Sequence, residues 1–126
     1  MDDLTTAVGA FKHQLETGDR APFEALLASG AVTWHNYDKV EAPTSNPAGA
    51  AIFQELIEGP RVEVVQHEFF PGGEMVRIIL GGVVRSTGLT LNVHNCVIFS
   101  LSDGLITRID EYVDPTMFTQ FAPDVS

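Results

Sequence analysis

Side chains that could move a proton lie along the predicted strands of this 126-residue chain. Glu111 is the strongest candidate, because strand alternation places it on one face with Ile109 and Val113. A carboxylate between two apolar neighbours is partly desolvated, and such a group suits acid–base catalysis near neutrality. The alternative is an ordinary charge on a solvated sheet face. We therefore predict that Glu111 is catalytic and that Ile109 and Val113 contact the substrate.

A second group of candidates lies near the start of the predicted sheet, in the sequence Trp34-His35-Asn36-Tyr37-Asp38. Alternation places Trp34, Asn36 and Asp38 together on one face. We predict that Trp34 and Asn36 bind the substrate and that Asp38 assists in proton transfer. The competing interpretations are a core position for Trp34 and a turn or capping position for Asp38.

Two further polar residues lie among apolar strand residues. His67 alternates with Val65 and Phe69, which predicts an apolar face and makes His67 a third catalytic candidate. A lone histidine on such a face is more often a hydrogen-bonded core residue. Asn95 shares its face with Val97, and we predict that it binds the substrate.

The composition excludes several classes of function. Seven basic and seventeen acidic residues give a net charge of −10, which repels nucleic acids and anionic membranes. The four histidines lack the close spacing of metal ligands, and a single cysteine, Cys96, cannot build a zinc cluster. We therefore expect neither a metal nor another cofactor, and neither nucleic acid nor a membrane as a partner.

The sequence also predicts where in the cell the protein is located. No apolar run approaches the roughly 18 residues of a membrane helix. The first residues, Met1-Asp2-Asp3, lack the basic-then-apolar layout of a signal peptide. The unpaired cysteine is compatible with a reducing compartment. We expect a soluble cytoplasmic protein.

Periodicity predicts three helices in the first half of the chain. The first has Leu4, Val8, Phe11 and Leu15 on one face, with Asp2 or Asp3 as its cap and Gly18 at its end. The second runs from Asp19 to Gly30. The third is capped by Asn46, has Pro47 at its first position and ends at Gly59-Pro60.

The remaining segments read as strands, over residues 31–38, 61–70, 74–85, 89–101 and 105–114. The turn sequences between the last four predict consecutive antiparallel hairpins. An antiparallel sheet must cover its apolar face, and the helices are available to do so. We therefore predict one α+β domain over residues 1–126, with helices on one face of the sheet.

Two segments resemble those of SnoaL-like proteins, within the nuclear transport factor 2-like superfamily. They are Trp34–Asp38 and Asp103–Pro115, the second reading DGLITRIDEYVDP. The resemblance implies a curved antiparallel sheet that forms a cone around a largely apolar internal pocket. It also implies a homodimer joined through the outer sheet face. Relatives include ketosteroid isomerases, polyketide cyclases, limonene epoxide hydrolase and scytalone dehydratase, so the resemblance does not specify a reaction.

Individual positions match these relatives only in part. Trp34 and Asn36 resemble the residues that hold the water in limonene epoxide hydrolase, and Glu111 before Tyr112 resembles its catalytic aspartate. Arg77 resembles its arginine, but the aspartate that accompanies this arginine is missing. The two acids of ketosteroid isomerase have no counterparts, although Asp38 lies close to one position. Gln66-His67 resembles a pair in scytalone dehydratase.

We expect a cofactor-free enzyme that transfers protons on a small, apolar carbonyl or hydroxyl compound. Isomerisation, dehydration and cyclisation are the reactions compatible with such a site. One alternative is a binding module that holds a small hydrophobic ligand without catalysis. Another is an activity like that of an epoxide hydrolase.

Overall fold

The computed structural model describes residues 3–45 and 48–116. These residues form three helices and six strands. In chain order they are α1 (Ala7–Thr17), α2 (Ala21–Ala25), β1 (Leu27–His35), β2 (Glu41–Pro43), α3 (Ala48–Leu56), β3 (Ile57–Phe70), β4 (Gly73–Val84), β5 (Thr90–Ser102) and β6 (Leu105–Val113). This arrangement confirms the predicted α+β class.

All six strands belong to one open sheet, with the order β2-β1-β6-β5-β4-β3. The neighbours β3/β4, β4/β5 and β5/β6 are antiparallel, as the turn sequences predicted. β1, however, runs parallel to β6. The sheet is therefore mixed, which corrects the prediction of a purely antiparallel sheet.

Residues with left-handed backbone angles form the tight turn between β5 and β6. Asp103 has φ 52° and Gly104 has φ 78°, and the two strands pair from Ser102 and Leu105 onwards. Positive φ at both central residues gives a turn whose twist matches that of antiparallel strands. This turn confirms the hairpin predicted from the Asp103-Gly104 sequence.

α1 begins at Ala7, later than the predicted cap at Asp2 or Asp3. The observed N-cap is Thr6, whose side-chain oxygen accepts a hydrogen bond from the Gly9 N–H. Asp2 lies outside the described residues, and Asp3 instead accepts hydrogen bonds from Thr5. The end of the helix is as predicted, since Gly18 is its left-handed C-cap with φ 80°.

The second and third helices also differ from the prediction at their ends. α2 stops at Ala25, because β1 already begins at Leu27. α3 ends at Leu56, and the Gly59-Pro60 pair lies inside β3, where the β3/β4 register shifts. A glycine with φ 60° and a proline without an N–H are typical of such a bulge. The predicted start of α3 at Asn46 and Pro47 lies outside the described residues.

The helices pack on one face of the sheet, here called the inner face. Its buried residues include Val76 on β4, Val97 on β5 and Ile109 on β6, which share one core with helix residues. Phe11 of α1 contacts Phe99 at 5.5 Å between ring centroids. Within the described residues, none of the helices has the length and apolar character required to span a membrane.

Candidate functional site

Two histidine–carboxylate pairs lie at opposite ends of one row of residues across the inner face. The row follows the strand register from His67 through Val76, Val97 and Glu111 to His35. His67 and Glu111 are three strand spacings apart, or roughly 14 Å between backbones. The structure therefore does not bring together the two predicted catalytic residues His67 and Glu111.

Glu111 instead pairs with His35, a residue that the sequence did not single out. The distance from His35 Nε2 to Glu111 Oε2 is 2.9 Å, with side-chain exposures of 26% and 20%. On β6, the neighbours of Glu111 on the same face are Ile109 and Val113, and both are buried. The pair is thus partly desolvated yet open on one side, as an acid–base group that meets a substrate must be.

The parallel pairing of β1 with β6 places His35 beside Glu111. The two residues are register partners. The next residue, Asn36, then bonds to β6 with backbone and side chain together: its N–H donates to Glu111 O (3.1 Å), its Nδ2 donates to Val113 O (3.2 Å), and its Oδ1 accepts from Val113 N–H (2.9 Å). The amide of Asn36, predicted to orient a substrate, therefore bonds to the β6 backbone and continues the ladder beyond the end of β1.

The surroundings of His35 favour its charged form. The hydrogen bond to Glu111 raises the pKa of His35, burial opposes this effect, and the negative charges of Glu111 and Asp38 reinforce it. The Tyr37 ring stacks on the imidazole with 4.9 Å between centroids. Burial and the charges of Asp38 and Glu111 also raise the pKa of Tyr37, so its hydroxyl keeps its proton near neutrality.

Asp38 lies in the exposed turn that follows β1. Its Oδ1 accepts a hydrogen bond from the Val40 N–H at 2.9 Å, which is the turn position given as the alternative to catalysis. Asp38 nevertheless contributes negative charge close to His35. Its part in proton transfer remains a prediction.

Trp34 lies on the opposite, outer face of the sheet. It is the register partner of Asp110, and its ring contacts Tyr112 at 5.5 Å. Trp34 and Glu111 therefore lie on opposite faces of the sheet, and the substrate contact predicted for Trp34 stays a prediction. The alternation along β1 was predicted correctly, but only the pairing with β6 decides which of the two alternating sets shares a face with Glu111.

Two side-chain amide oxygens are buried without a hydrogen-bond partner among the described residues. Asn95 is in register with the buried residues Ile78 and Val113, and its Oδ1 has no hydrogen-bond partner among the described residues. Gln14 of α1 is 4% exposed, and its Oε1 is likewise unpartnered there. A buried acceptor without a partner costs about 1–3 kcal/mol. A ligand with a hydroxyl or N–H group would remove this cost.

Gln14 could have been found from the sequence. It follows Phe11 by three residues and therefore shares the inward face of α1. A polar residue in an apolar helical stripe is informative, because buried polar groups normally have partners. Asn95, by contrast, was predicted to bind substrate, and its inner-face position is compatible with that role.

Aromatic side chains pack between the helices and against the sheet. Phe11 contacts Phe23 at 6.1 Å and Phe99 at 5.5 Å. Among the open grooves lined by described residues, one lies between α1 and β3 with a volume of about 360 Å³. Another, of about 340 Å³, lies beside Asn95 and Tyr112. Glu111 lines neither groove, so the predicted internal pocket around it stays a prediction. Within the described residues, no three histidine, cysteine or acidic side chains converge as metal ligands.

Comparison with known proteins supports the fold and leaves the reaction open. Neither the protein-family models nor the curated proteins contain a match to the sequence. Solved structures do match in three dimensions. IdmH of Streptomyces antibioticus, described as a candidate polyketide cyclase, superposes with a TM-score of 0.77 at 16% identity over 92% of this chain and 96% of the other.

Two further structures extend the comparison. A SnoaL-like candidate polyketide cyclase from Jannaschia sp. gives a TM-score of 0.73 at 18% identity, over 93% of this chain and 92% of the other. A protein with a ketosteroid isomerase-like fold from Catenulispora acidiphila, in complex with trimethylamine, gives 0.75 at 13% identity, over 92% of each chain. The chain therefore has the nuclear transport factor 2-like fold of ketosteroid isomerase-like and SnoaL-like proteins.

Proposed function

We propose that the protein is a cofactor-free enzyme that transfers protons on a small, apolar carbonyl or hydroxyl compound. The observation that carries this proposal is the His35–Glu111 hydrogen bond of 2.9 Å on the inner face. Buried apolar residues flank the pair on β6. Such an environment strengthens electrostatic interactions with a bound substrate, because water screens them less.

The pair can supply both a base and an acid. In the proposed mechanism, the Glu111 carboxylate removes a proton from a carbon next to the substrate carbonyl. The His35 imidazolium, favoured by its raised pKa, donates a hydrogen bond or a proton to the oxygen on which negative charge develops. Return of the proton at another position gives isomerisation. Loss of a hydroxyl group, which takes the proton from His35 and leaves as water, gives dehydration.

The other predicted residues would orient the substrate. Ile109 and Val113 would contact its apolar part, since they flank Glu111 on the inner face. Asn95 would accept a hydrogen bond from a substrate hydroxyl through its unpartnered Oδ1. These roles require a substrate that combines an apolar body with at least one oxygen.

A non-catalytic binding module is the second candidate function. The buried, unpartnered oxygens of Gln14 and Asn95 support it, because a ligand could donate hydrogen bonds to them without undergoing a reaction. An activity like that of an epoxide hydrolase finds less support. Arg77, which would belong to its catalytic set, donates to Gln66 and is the register partner of Cys96, on the outer face.

Hydrogen–deuterium exchange on simple ketones tests the enzymatic proposal, because it requires only an acidic proton next to a carbonyl. Cyclohexanone and 2-tetralone are incubated with the protein in D2O, and NMR follows loss of the protons next to the carbonyl. We expect exchange above the buffer rate, and we expect Glu111→Gln to reduce it at least about 100-fold, because the base is lost. His13→Gln is the matched control, since His13 pairs with Asp19 on the helical side of the molecule.

The same experiment separates the two candidate functions. Exchange by the wild type that persists unchanged in the folded Glu111→Gln variant contradicts the assignment of Glu111. Binding of the ketones without any exchange above the buffer rate supports the binding module instead.

A further inference from the structure

An aromatic ring covers one face of the imidazole in the proposed site. The Tyr37 ring stacks on the His35 ring, with 4.9 Å between the centroids and 28° between the ring planes. Glu111 bonds to the same imidazole at its edge, where Nε2 lies 2.9 Å from the carboxylate. His35 therefore has two close neighbours of different kinds, a carboxylate in the plane of its ring and an aromatic face stacked on that plane.

Hydrogen bonds of the turn after β1 hold Tyr37 in this position. Asn36, the residue before it, is bonded to β6 through its backbone and its side chain. Two residues after it, the Lys39 N–H donates to His35 O at 2.9 Å, which closes the turn on the end of β1. Lys39 has a left-handed φ of 56°, which is uncommon for a residue other than glycine. The stacking of Tyr37 on His35 is therefore specified by the backbone on both sides of the ring.

A stacked aromatic ring favours the charged form of the imidazole. The face of an aromatic ring carries partial negative charge, which attracts a cation placed over it. A protonated His35 gains this attraction, and a neutral His35 does not. The negative charges of Glu111 on β6 and of Asp38 in the same turn act in the same direction. The raised pKa of Tyr37 keeps its hydroxyl protonated near neutrality, so the ring acts through its face and not through a charge.

The second histidine–carboxylate pair provides a comparison within the same molecule. His67 Nε2 lies 2.8 Å from Glu74 Oε1, and the Phe69 ring lies 4.5 Å from the His67 ring between centroids. Glu74 is 3% exposed, and its carboxylate also accepts from the backbone N–H groups of Ala7 (2.9 Å) and Val8 (3.3 Å). This pair links β3 and β4 to the first turn of α1, at the far end of the row from the proposed site. Its aromatic ring is therefore a matched control for the ring of Tyr37.

We propose that Tyr37 is a positioning residue of the His35–Glu111 pair, whose ring holds the imidazole against Glu111 and favours the protonated imidazole that serves as the acid. This inference rests on the function proposed above, because it takes His35 to be the acid of that reaction. Tyr37 acts through His35, so the proposal requires no contact between Tyr37 and the substrate.

The pKa of His35 in two ring variants tests the inference without any substrate. Tyr37→Phe keeps the aromatic face, whereas Tyr37→Leu keeps an apolar side chain without that face. NMR titration of the isotope-labelled imidazole gives the pKa in each protein. We expect the pKa of His35 to stay near the wild-type value in the phenylalanine variant and to fall by about 0.4–0.7 pH units in the leucine variant, as for an exposed cation–π contact. Phe69→Leu, which removes the ring beside the other histidine, should leave the pKa of His35 unchanged.

The pH profile of the ketone exchange reaction separates positioning from general stability. Protonated His35 is the acid of the proposed reaction, so the alkaline limb of the profile reports its pKa. We expect this limb to move to lower pH in Tyr37→Leu, by the amount that the pKa of His35 falls, and to stay in place in Tyr37→Phe. A rate that falls equally at every pH, with an unchanged pKa of His35, would overturn the inference and leave Tyr37 a structural role only.

The two readouts distinguish failure of this inference from failure of the proposed function. An unchanged pKa of His35 in a folded Tyr37→Leu variant overturns the inference, while loss of exchange in Glu111→Gln still supports the enzyme. A lowered pKa in a protein without any exchange supports the effect of the ring on His35 and contradicts only the enzymatic function. Where Tyr37→Leu fails to fold, the wild type alone decides. Its Tyr37 ring resonances should titrate with the midpoint of His35, and resonances that do not respond to this titration overturn the inference.

Discussion

The hydrogen bond between His35 and Glu111 couples the stability of the protein to pH. It raises the pKa of His35 above the value of about 6.5 that the unfolded chain has. The folded state therefore holds the proton more tightly than the unfolded state does. The stabilisation is fully present below the unfolded pKa and is lost as the pH rises through the folded pKa.

A comparison of wild type and His35→Gln at two pH values measures this effect. We expect the wild type to exceed the variant in free energy of unfolding more at pH 6 than at pH 9, by up to about 1 kcal/mol for a partly exposed pair. Denaturant titration provides the measurement. His94→Gln, which removes an exposed histidine, is the control for general titration effects. An equal difference at both pH values would contradict the assigned role of the pair.

At the scale of the elements, the pairing of β1 with β6 decides which residues meet. Along β1, His35 and Trp34 point to opposite faces, and a shift of the pairing by one residue would exchange them. Asn36 secures the observed register, because its amide donates to Val113 O and accepts from Val113 N–H. The position of His35 beside Glu111 thus depends on a neighbour that bonds only to the backbone.

Substitution of Asn36 tests this dependence. Asn36→Ala removes both side-chain hydrogen bonds to Val113, whereas Asn36→Asp retains the acceptor for the Val113 N–H. We expect destabilisation of about 1–3 kcal/mol for alanine and less for aspartate, because the N–H and C=O of Val113 at the end of β6 lose their side-chain partners. Denaturant titration gives the stability, and NMR gives the pKa of His35, which should fall toward its ordinary value in the alanine variant. An unchanged His35 pKa in a destabilised variant would assign Asn36 to general stability alone.

At the scale of the whole molecule, the outer sheet face is the proposed surface for a second copy. Trp34 and Tyr112 form an aromatic contact there, and Tyr112 is exposed. Amphipathic aromatic side chains are enriched in the contacts between subunits. We propose that two copies associate through this face.

Light scattering at micromolar concentration measures the oligomeric state directly. We expect the mass of a dimer for the wild type and a shift toward the monomer for Tyr112→Glu, because a buried unpaired charge is unfavourable. Val40→Glu, which alters an exposed apolar residue in the loop before β2, should remain dimeric. A monomeric wild type would contradict the proposal.

The local features of this chain were predictable because they depend on neighbours in sequence. Turn residues such as Asp103-Gly104 specify tight hairpins through positive φ, and alternation along β6 placed Glu111 between Ile109 and Val113. These local features do not show which distant strand pairs with β6, or in which register. The ends of some elements were predicted wrongly because pairing with a distant strand decides them. At Gly59-Pro60, which the sequence alone marks as a helix end, β3 pairs with β4 on both sides of a bulge that contains the proline.

The sequence identified one member of the candidate pair, Glu111, and the tertiary structure identified the other, His35. Sequence alone identified Glu111, since a carboxylate between apolar neighbours in a strand is visible in a single segment. Tertiary structure alone identified His35 as its partner and placed Trp34 on the outer face. The physical reason is that β1 and β6 are far apart in the chain, as in the Asn36–Val113 pair separated by 77 residues. Contacts at that separation depend on which sheet register buries the most apolar surface, and no local pattern encodes that choice.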